Sequence, residues 1–175
     1  MVLPRNIRNS RISAEELEVV QPSTAARMTR FQLMIGDVVS ARVGTLGRYG
    51  LVREEQSGWL LGPGCVRFRP EDRVDPDYLT YYLNGSVARR WLMEHATGSP
   101  IQHVNTGTLA TMPMWLPSPS AQRAIVEILD SFQAAASIHG RISATVDELN
   151  DLLIPILMSP GAAPVPERDG PKPGM

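Results

Sequence analysis

Between residues 98 and 117 the sequence GSPIQHVNTGTLATMPMWLP places Gln102, His103, Asn105, Thr106 and Thr108 ahead of a short apolar segment, Met112–Leu116. Each of these side chains carries hydrogen-bond donors, acceptors or both. A second polar group, Arg42, Thr45 and Arg48, lies in the glycine-punctuated stretch SARVGTLGRYG. The chemistry that suits these types is the reading of base edges. Arginine pairs with guanine O6 and N7, and asparagine or glutamine with adenine N6 and N7, each bidentate pair giving about 1–3 kcal/mol of discrimination. Taken one at a time, the same residues also suit loop solvation or turn capping. Asn105 and Thr106 in particular suit the N-cap of a short turn over residues 107–110.

Catalytic constellations are harder to find. His95, His103 and His139 lie far apart, and no His/Cys/Asp spacing matches a zinc site. GTLGRYG, residues 44–50, lacks the G-x-x-x-x-G-K-[ST] pattern of a phosphate loop and runs into strand-like sequence instead of a helix. No Asn-Pro-Pro-Tyr tetrapeptide occurs, so cofactor-dependent base modification is not housed in this chain alone. Glu15/Glu16 and Glu54/Glu55 read as solvated faces. The expectation is a protein that is not an enzyme and holds no cofactor or metal. The single cysteine, Cys65, has no internal disulfide partner and is expected to be a small buried hydrophobe, which suits a reducing cytoplasm. No signal-peptide pattern and no apolar run of the ~20 residues a membrane helix needs is present, so a soluble, cytoplasmic protein is expected.

The elements that must position these residues follow from length, charge and periodicity. A chain of 175 residues can bury roughly 70% of its unfolded surface, enough for one domain with a real core. The net charge of −1 is unevenly spread. Residues 1–53 carry eight arginines against four acids (+4), residues 54–116 five basic against seven acidic (−2), and residues 117–157 two against five (−3). Of the 17 basic residues only Lys172 is lysine. Arginine's planar fork suits phosphate and guanine, and GC-rich coding bias would give the same excess.

Along the chain, VLPRNIRNSRI reads as extended with a turn near Asn9-Ser10. SAEELEVV, with Ser13 and Glu16 as a capping box, predicts a short helix, and QPSTAARMTR a loop. Strands are expected around Val38–Val43 and Tyr49–Val52, then two more in SGWLLGPGCVRFRP, broken at Gly62–Gly64. Asp75 as N-cap with Pro76 behind it opens a helix that Asn84-Gly85 stops. Ser86 then caps a second helix running to Gly98, and MPMWLP is expected to form a strand. Ser118 and Pro119 open the last element, where Ile125, Ile128, Phe132, Ala135, His139, Ile142, Val146, Leu149, Leu153 and Ile156 follow one another in alternating steps of three and four. That heptad row argues for a coiled-coil seam seeking a partner, on a helix of about 55 Å at 1.5 Å per residue. Gly140, at a cost of about 1 kcal/mol in a helix interior, marks either a bend or the turn of a helical hairpin. From Met158 onward the Pro- and Gly-rich sequence reads as a disordered tail.

In order and spacing, several of these stretches resemble a known family. They are Gly36-Asp37, Ser40–Gly47, Tyr78–Leu83 (YLTYYL), Gly98–His103, Leu116-Pro117 and Gln122–Leu129 (QRAIVEIL), each followed at the expected interval by the next. Over roughly residues 31–157 the chain is similar to a target recognition domain of a type I restriction–modification specificity subunit. The resemblance implies an α+β fold: a small mixed β core with short helices, the target recognition domain (residues 1–117), followed by a long C-terminal coiled-coil spacer helix (118–157) and a tail (158–175).

It further implies that the chain reads one half of a bipartite double-stranded DNA sequence while its helix docks methyltransferase (modification) subunits, with a translocating nuclease subunit as a further member. DNA contacts are then expected at Arg42, Thr45, Arg48, Gln102, His103, Asn105 and Thr106, and the partner seam at Ile125, Ile128, Phe132, Ile142, Val146, Leu149 and Leu153. Complete members hold two recognition domains and two spacer helices, whereas one of each is seen here, and the domain reads as short at its N-terminus. The chain is therefore either a half-subunit that pairs with itself or another half through the helix, or a truncated remnant. An assembly module that has lost DNA recognition is the alternative function.

Overall fold

A computed structural model describes residues 1–8, 10–44, 46–99 and 101–158. The chain divides into two compact units, Met1–Ile128 and a second beginning at Leu129. The first is α+β. Its centre is β3 (Val38–Ala41), flanked antiparallel by β4 (Tyr49–Leu51) and β5 (Cys65–Phe68) in the order β4-β3-β5. The register pairs Val38 with Leu51 and Phe68, and Ser40 with Tyr49 and Val66. Alternate strand residues face opposite sides of a sheet, and here both sides are covered. Val39 packs with Val2, Ile7, Ile12, Leu33, Val52 and Cys65, while Val38 packs with Tyr49, Leu51, Leu79 and Leu83. All four residues of β3 are buried for that reason.

A small hairpin, β1 (Ile7–Arg8) and β2 (Arg11–Ile12), lies across β4. The approach is so close that a Cβ on Gly50 would stand 2.8 Å from Ile12 and 3.0 Å from the Arg11 carbonyl oxygen, so glycine is required there. The opposite side is covered by α2 (Pro76–Asn84) and α3 (Ser86–His95). Asp75 caps α2 as its sequence predicts: its carboxylate accepts from the Asp77 and Tyr78 amides at 2.9 and 3.0 Å.

Five expectations are corrected. Residues 13–20 form no helix. The Ser13 hydroxyl accepts from the Glu15 amide (3.1 Å), while Asn6 and Arg5 donate to the Glu15 and Glu16 carbonyls. Local side-chain bonds thus satisfy the backbone in a turn, the alternative that serine offers to a helix. The segment assigned to a loop contains a one-turn helix, α1 (Pro22–Ala25), and a 3-10 turn, Thr29–Phe31. Of the two strands expected in 57–70 only β5 forms; Leu60 and Leu61 make isolated bridges to Gln32 and Val2. Ser86 is the first residue of α3, not its cap, and that helix stops at His95. Finally, MPMWLP forms no strand and joins no sheet. Pro113 and Pro117 lack the amide donors a ladder needs, and the segment is strapped down by Tyr78 and Tyr82, whose hydroxyls donate to the Trp115 and Pro113 carbonyls (2.7 and 3.0 Å).

The short helix α4 (Thr106–Ala110) precedes this strap, and α5 (Pro119–Leu157) follows it as one helical element that includes Gly140 and Pro155. The alternative of a helical hairpin at Gly140 does not hold. A side chain there would meet nothing within 4 Å, so the glycine's cost of about 1 kcal/mol is one of propensity alone. The expectation of a disordered tail falls, beyond Met158, outside the described residues.

Candidate nucleic-acid interface

Beyond Ala41 the backbone of β3 continues as Arg42–Gly44 and pairs with the polar loop. The Val104 amide donates to the Arg42 carbonyl (3.1 Å) and the Gly44 amide to the Gln102 carbonyl (2.9 Å). On its other side the loop closes on itself, Thr97 and His103 exchanging backbone hydrogen bonds of 2.9 and 2.8 Å. Gly98 makes that closure possible. Its φ is +99°, and a Cβ would stand 2.5 Å from the Ile101 carbonyl oxygen. Two apolar side chains anchor the loop from beneath: Val104 and Leu109 are buried with Leu92 against Leu46, Val66, Phe68 and Met112. The side chains around these anchors are left outside.

Arg42, Gln102, His103, Asn105 and Thr106 are all exposed; the first three lie on the paired segments, and Asn105 and Thr106 follow at the start of α4. Their freedom differs. Asn105 caps α4, its Oδ1 accepting from the Thr108 amide at 2.7 Å, so its oxygen is engaged and its NH2 group is what it can offer. His103 Nε2 shares a hydrogen bond with Thr97 Oγ1 (3.2 Å). Thr106 is the first residue of α4. Thr45 lies outside the described residues.

Arg48 is not in that group. It lines a separate open cleft of about 560 Å³ with Arg8, Ser10, Gly47, Asn84 and Arg89. Three arginines line it, from the β1–β2 hairpin, the β3–β4 connection and α3. Arg8 donates from Nε to the Arg5 carbonyl (3.1 Å), and Asn84 donates to the carbonyls of Thr80 and Tyr49 (2.9 and 3.3 Å). The sequence reading missed Arg8, Asn84 and Arg89. The basic N-terminal third was a signal for Arg8, but nothing linear ties it to Arg89, which reads as the polar face of a helix.

Several other charges are compensated. Asp37, 1% exposed, accepts from Arg69 Nε and Nη2 (both 2.7 Å) and from the Met34 amide (2.8 Å), which raises the pKa of Arg69 through its bond to the carboxylate. Arg53 pairs with Asp77. Burial pushes the Cys65 thiol up to about 12, against an opposing pull from Arg42, and burial likewise pushes Tyr49 up to about 12.

The start of α5 belongs to this unit. Gln122 is fully buried, accepts from the Asp75 amide (2.8 Å) and donates to the carbonyls of Arg73 (3.0 Å) and Pro117 (2.9 Å). Further along the helix the expected seam is exposed: Ile128, Phe132, Ile142, Val146, Leu149, Leu153 and Ile156 show between 48% and 67% of their surface, and Ile125 is half-buried.

Fold and surface together define an α+β unit whose polar loop is pinned beside a β-edge, joined to a long C-terminal helix with an apolar row. The chain belongs to the type I restriction modification DNA specificity domain family, whose model matches residues 9–148. It is 24% identical over 154 residues to the type I restriction enzyme EcoBI specificity subunit of Escherichia coli, which covers 87% of this chain and 32% of that one. The chain thus spans about a third of the length of that relative. Solved structures share the fold. A chain from a study of complex assembly and conformational transition of the type I R-M system has a TM-score of 0.64 at 20% identity, covering 81% of this chain and 37% of its own. The HsdS subunit from Thermoanaerobacter tengcongensis gives 0.59 at 18% identity, covering 78% and 37%. Among the described residues, no helix is long and apolar enough to cross a membrane.

Proposed function

We propose that this chain is a non-catalytic, cytoplasmic recognition subunit that reads one half-site of a bipartite duplex sequence. In this reading residues 1–117 bind DNA and residues 118–157 serve as a coiled-coil spacer. The helix engages a methyltransferase subunit that supplies the modification chemistry, within a complex that a translocating nuclease subunit can join. The observation that carries the reading is the pairing of Arg42–Gly44 with Gln102–Val104. It brings a guanine-type and an adenine-type reader onto one edge, held by buried Val104 and Leu109. Base readers need such support, because a bidentate contact tolerates little misplacement.

Selection from a randomised duplex pool with the full-chain protein tests this. A preferred half-site is expected. Gln102→Ala or Arg42→Ala should each relax one base position by about 1–3 kcal/mol, roughly ten- to a hundredfold, with other positions kept. Binding without any preference, or preference unchanged in both variants, overturns the assignment.

A second reading, an assembly module without DNA recognition, is favoured by the exposed row on α5. It predicts duplex affinity that is weak and flat between 50 and 200 mM salt, where phosphate-contacting proteins lose affinity steeply. The same row is proposed to pair with a second copy of the chain. Two identical half-sites would then be read in inverted orientation, as the symmetry of such a dimer requires.

A further inference from the structure

We propose that the cleft of Arg8, Arg48 and Arg89 is a clamp for a backbone phosphate of duplex DNA. The clamp rests on the DNA-binding reading above and adds to it a site of different chemistry from the base-reading edge. Three elements far apart in sequence each contribute an exposed arginine to the lining of one cleft, and no carboxylate lines it among the described residues. None of the three forms an ion pair among the described residues, and they are the arginines that share one cleft. Like charges gathered without a counter-charge repel one another, so the arrangement is made favourable by an anion that enters it.

The neutral lining fits the same ligand. Ser10 lies beside the arginines, and hydroxyl groups accompany Arg at phosphate contacts, while Asn84, whose NH2 is spent on the Thr80 and Tyr49 carbonyls, braces the wall. The cleft's volume of about 560 Å³ far exceeds the ~30 Å³ share of one water molecule, leaving room for a phosphodiester with its flanking sugars. Its lining is also held in place. Arg8 is tied to the Arg5 carbonyl and Arg89 to the Asn84 carbonyl (3.5 Å). Gly47 brings the β3–β4 connection down onto α3, where a Cβ would lie 3.5 Å from Leu92 and 3.8 Å from Arg89.

Location gives the clamp its use. Arg48 and Arg42 are on the same connection between β3 and β4, and Arg42 is on the segment paired with Gln102–Val104. A phosphate fixed at Arg48 therefore sets the register in which the paired edge meets the bases. Contacts of this kind position a protein on the duplex and carry no sequence information themselves. This assigns Arg48 to phosphate instead of guanine.

The test is fluorescence anisotropy of the full chain on its selected duplex and on a scrambled one, across a salt series. The proteins compared are wild type, Arg8→Gln/Arg89→Gln and Arg89→Lys. The double variant should bind both duplexes about ten- to a hundredfold more weakly. It should lower the slope of log affinity against log salt by about one for each phosphate it no longer neutralises, while its base preference and melting temperature stay at wild-type values. Arg89→Lys, which keeps the charge, should retain the slope. If the wild type binds duplex and the double variant matches it in affinity and slope, the clamp is overturned and the base-reading proposal stands. A loss confined to one base position also overturns it, by making the arginines readers. If titrated inorganic phosphate shifts the guanidinium NMR signals but duplex affinity is indifferent to the variants, the cleft serves a free anion and the proposal fails. A wild type that binds no duplex overturns clamp and DNA reading together.

Discussion

Cys65 lies on β5 opposite Ala41 with 7% of its surface exposed, and burial raises its thiol from the ordinary value of 9.0 to about 12. Only the thiolate attacks electrophiles, so native protein at pH 8 should resist iodoacetamide, with alkylation appearing at the rate of unfolding. Rapid labelling of the folded chain would contradict the burial. The same shift has a stability sign. Between pH 9 and 12 the folded state holds a proton the unfolded state has released, so stability is complete below 9 and drains as pH climbs. Tyr49, raised from 10.0 to about 12, adds to the loss from pH 10 upward. Cys65→Ala should therefore flatten the first part of an alkaline unfolding series, read by circular dichroism, relative to its own neutral-pH value. Residue-scale chemistry was partly legible beforehand. One cysteine beside Val66 reads as a buried hydrophobe, and Asn105 reads equally as cap or base reader until the 2.7 Å bond to the Thr108 amide shows the cap. Arg8 and Arg89 were not legible as a pair, because only the folded backbone brings them together.

At the scale of elements, sequence was a good guide where a cap and a periodic apolar face agreed and a poor one where only a cap was present. Asp75-Pro76 followed by YLTYYL gave α2 as expected, with Leu79 and Leu83 buried. Ser13 with Glu16 had the same kind of opening signal but no core for the helix to cover: Val19 is 92% exposed. MPMWLP carried the apolar residues of a strand, yet its two prolines and the hydroxyls of Tyr78 and Tyr82 turned it into a strap. Gln122 illustrates the remaining gap. It was visible as the first letter of a family pattern, while its role, three hydrogen bonds joining the start of α5 to Asp75, Arg73 and Pro117, depends on tertiary placement. Gln122→Met keeps the volume and removes all three hydrogen bonds. Each buried group left unsatisfied costs about 1–3 kcal/mol. Asp75 and Pro117 are half-buried and Arg73 exposed, so the two covered partners give an expected loss of about 2–6 kcal/mol in urea unfolding. A change under ~0.5 kcal/mol would mean that water replaces the amide.

For the molecule as a whole, the proposed functions divide between its two ends of charge. Residues 1–53 carry +4 and hold Arg8, Arg42 and Arg48, while residues 117–157 carry −3 and hold the apolar row. Seven row residues, each about half exposed or more, gain on the order of 1 kcal/mol each when covered, about 14 kcal/mol over two copies. An association cost of about 6 kcal/mol, within the roughly 4–15 kcal/mol range, leaves the ~8 kcal/mol of a micromolar Kd. Self-pairing is therefore expected in the micromolar range, and Leu149→Glu/Leu153→Glu, which places two charges in the row, should leave a monomer by light scattering. A monomeric wild type at that concentration would remove the self-pairing proposal without touching the DNA contacts. Salt then separates the two ends. Two copies of an acidic helix repel, and screening weakens that repulsion as the Debye length falls from about 10 Å at 0.1 M to 3 Å at 1 M, so self-association should hold or strengthen with added salt. Duplex binding through arginines must weaken over the same range, because phosphate contacts release counterions. Opposite salt responses measured on one preparation would place recognition and pairing on different surfaces, whereas a shared downward response would place arginines in both.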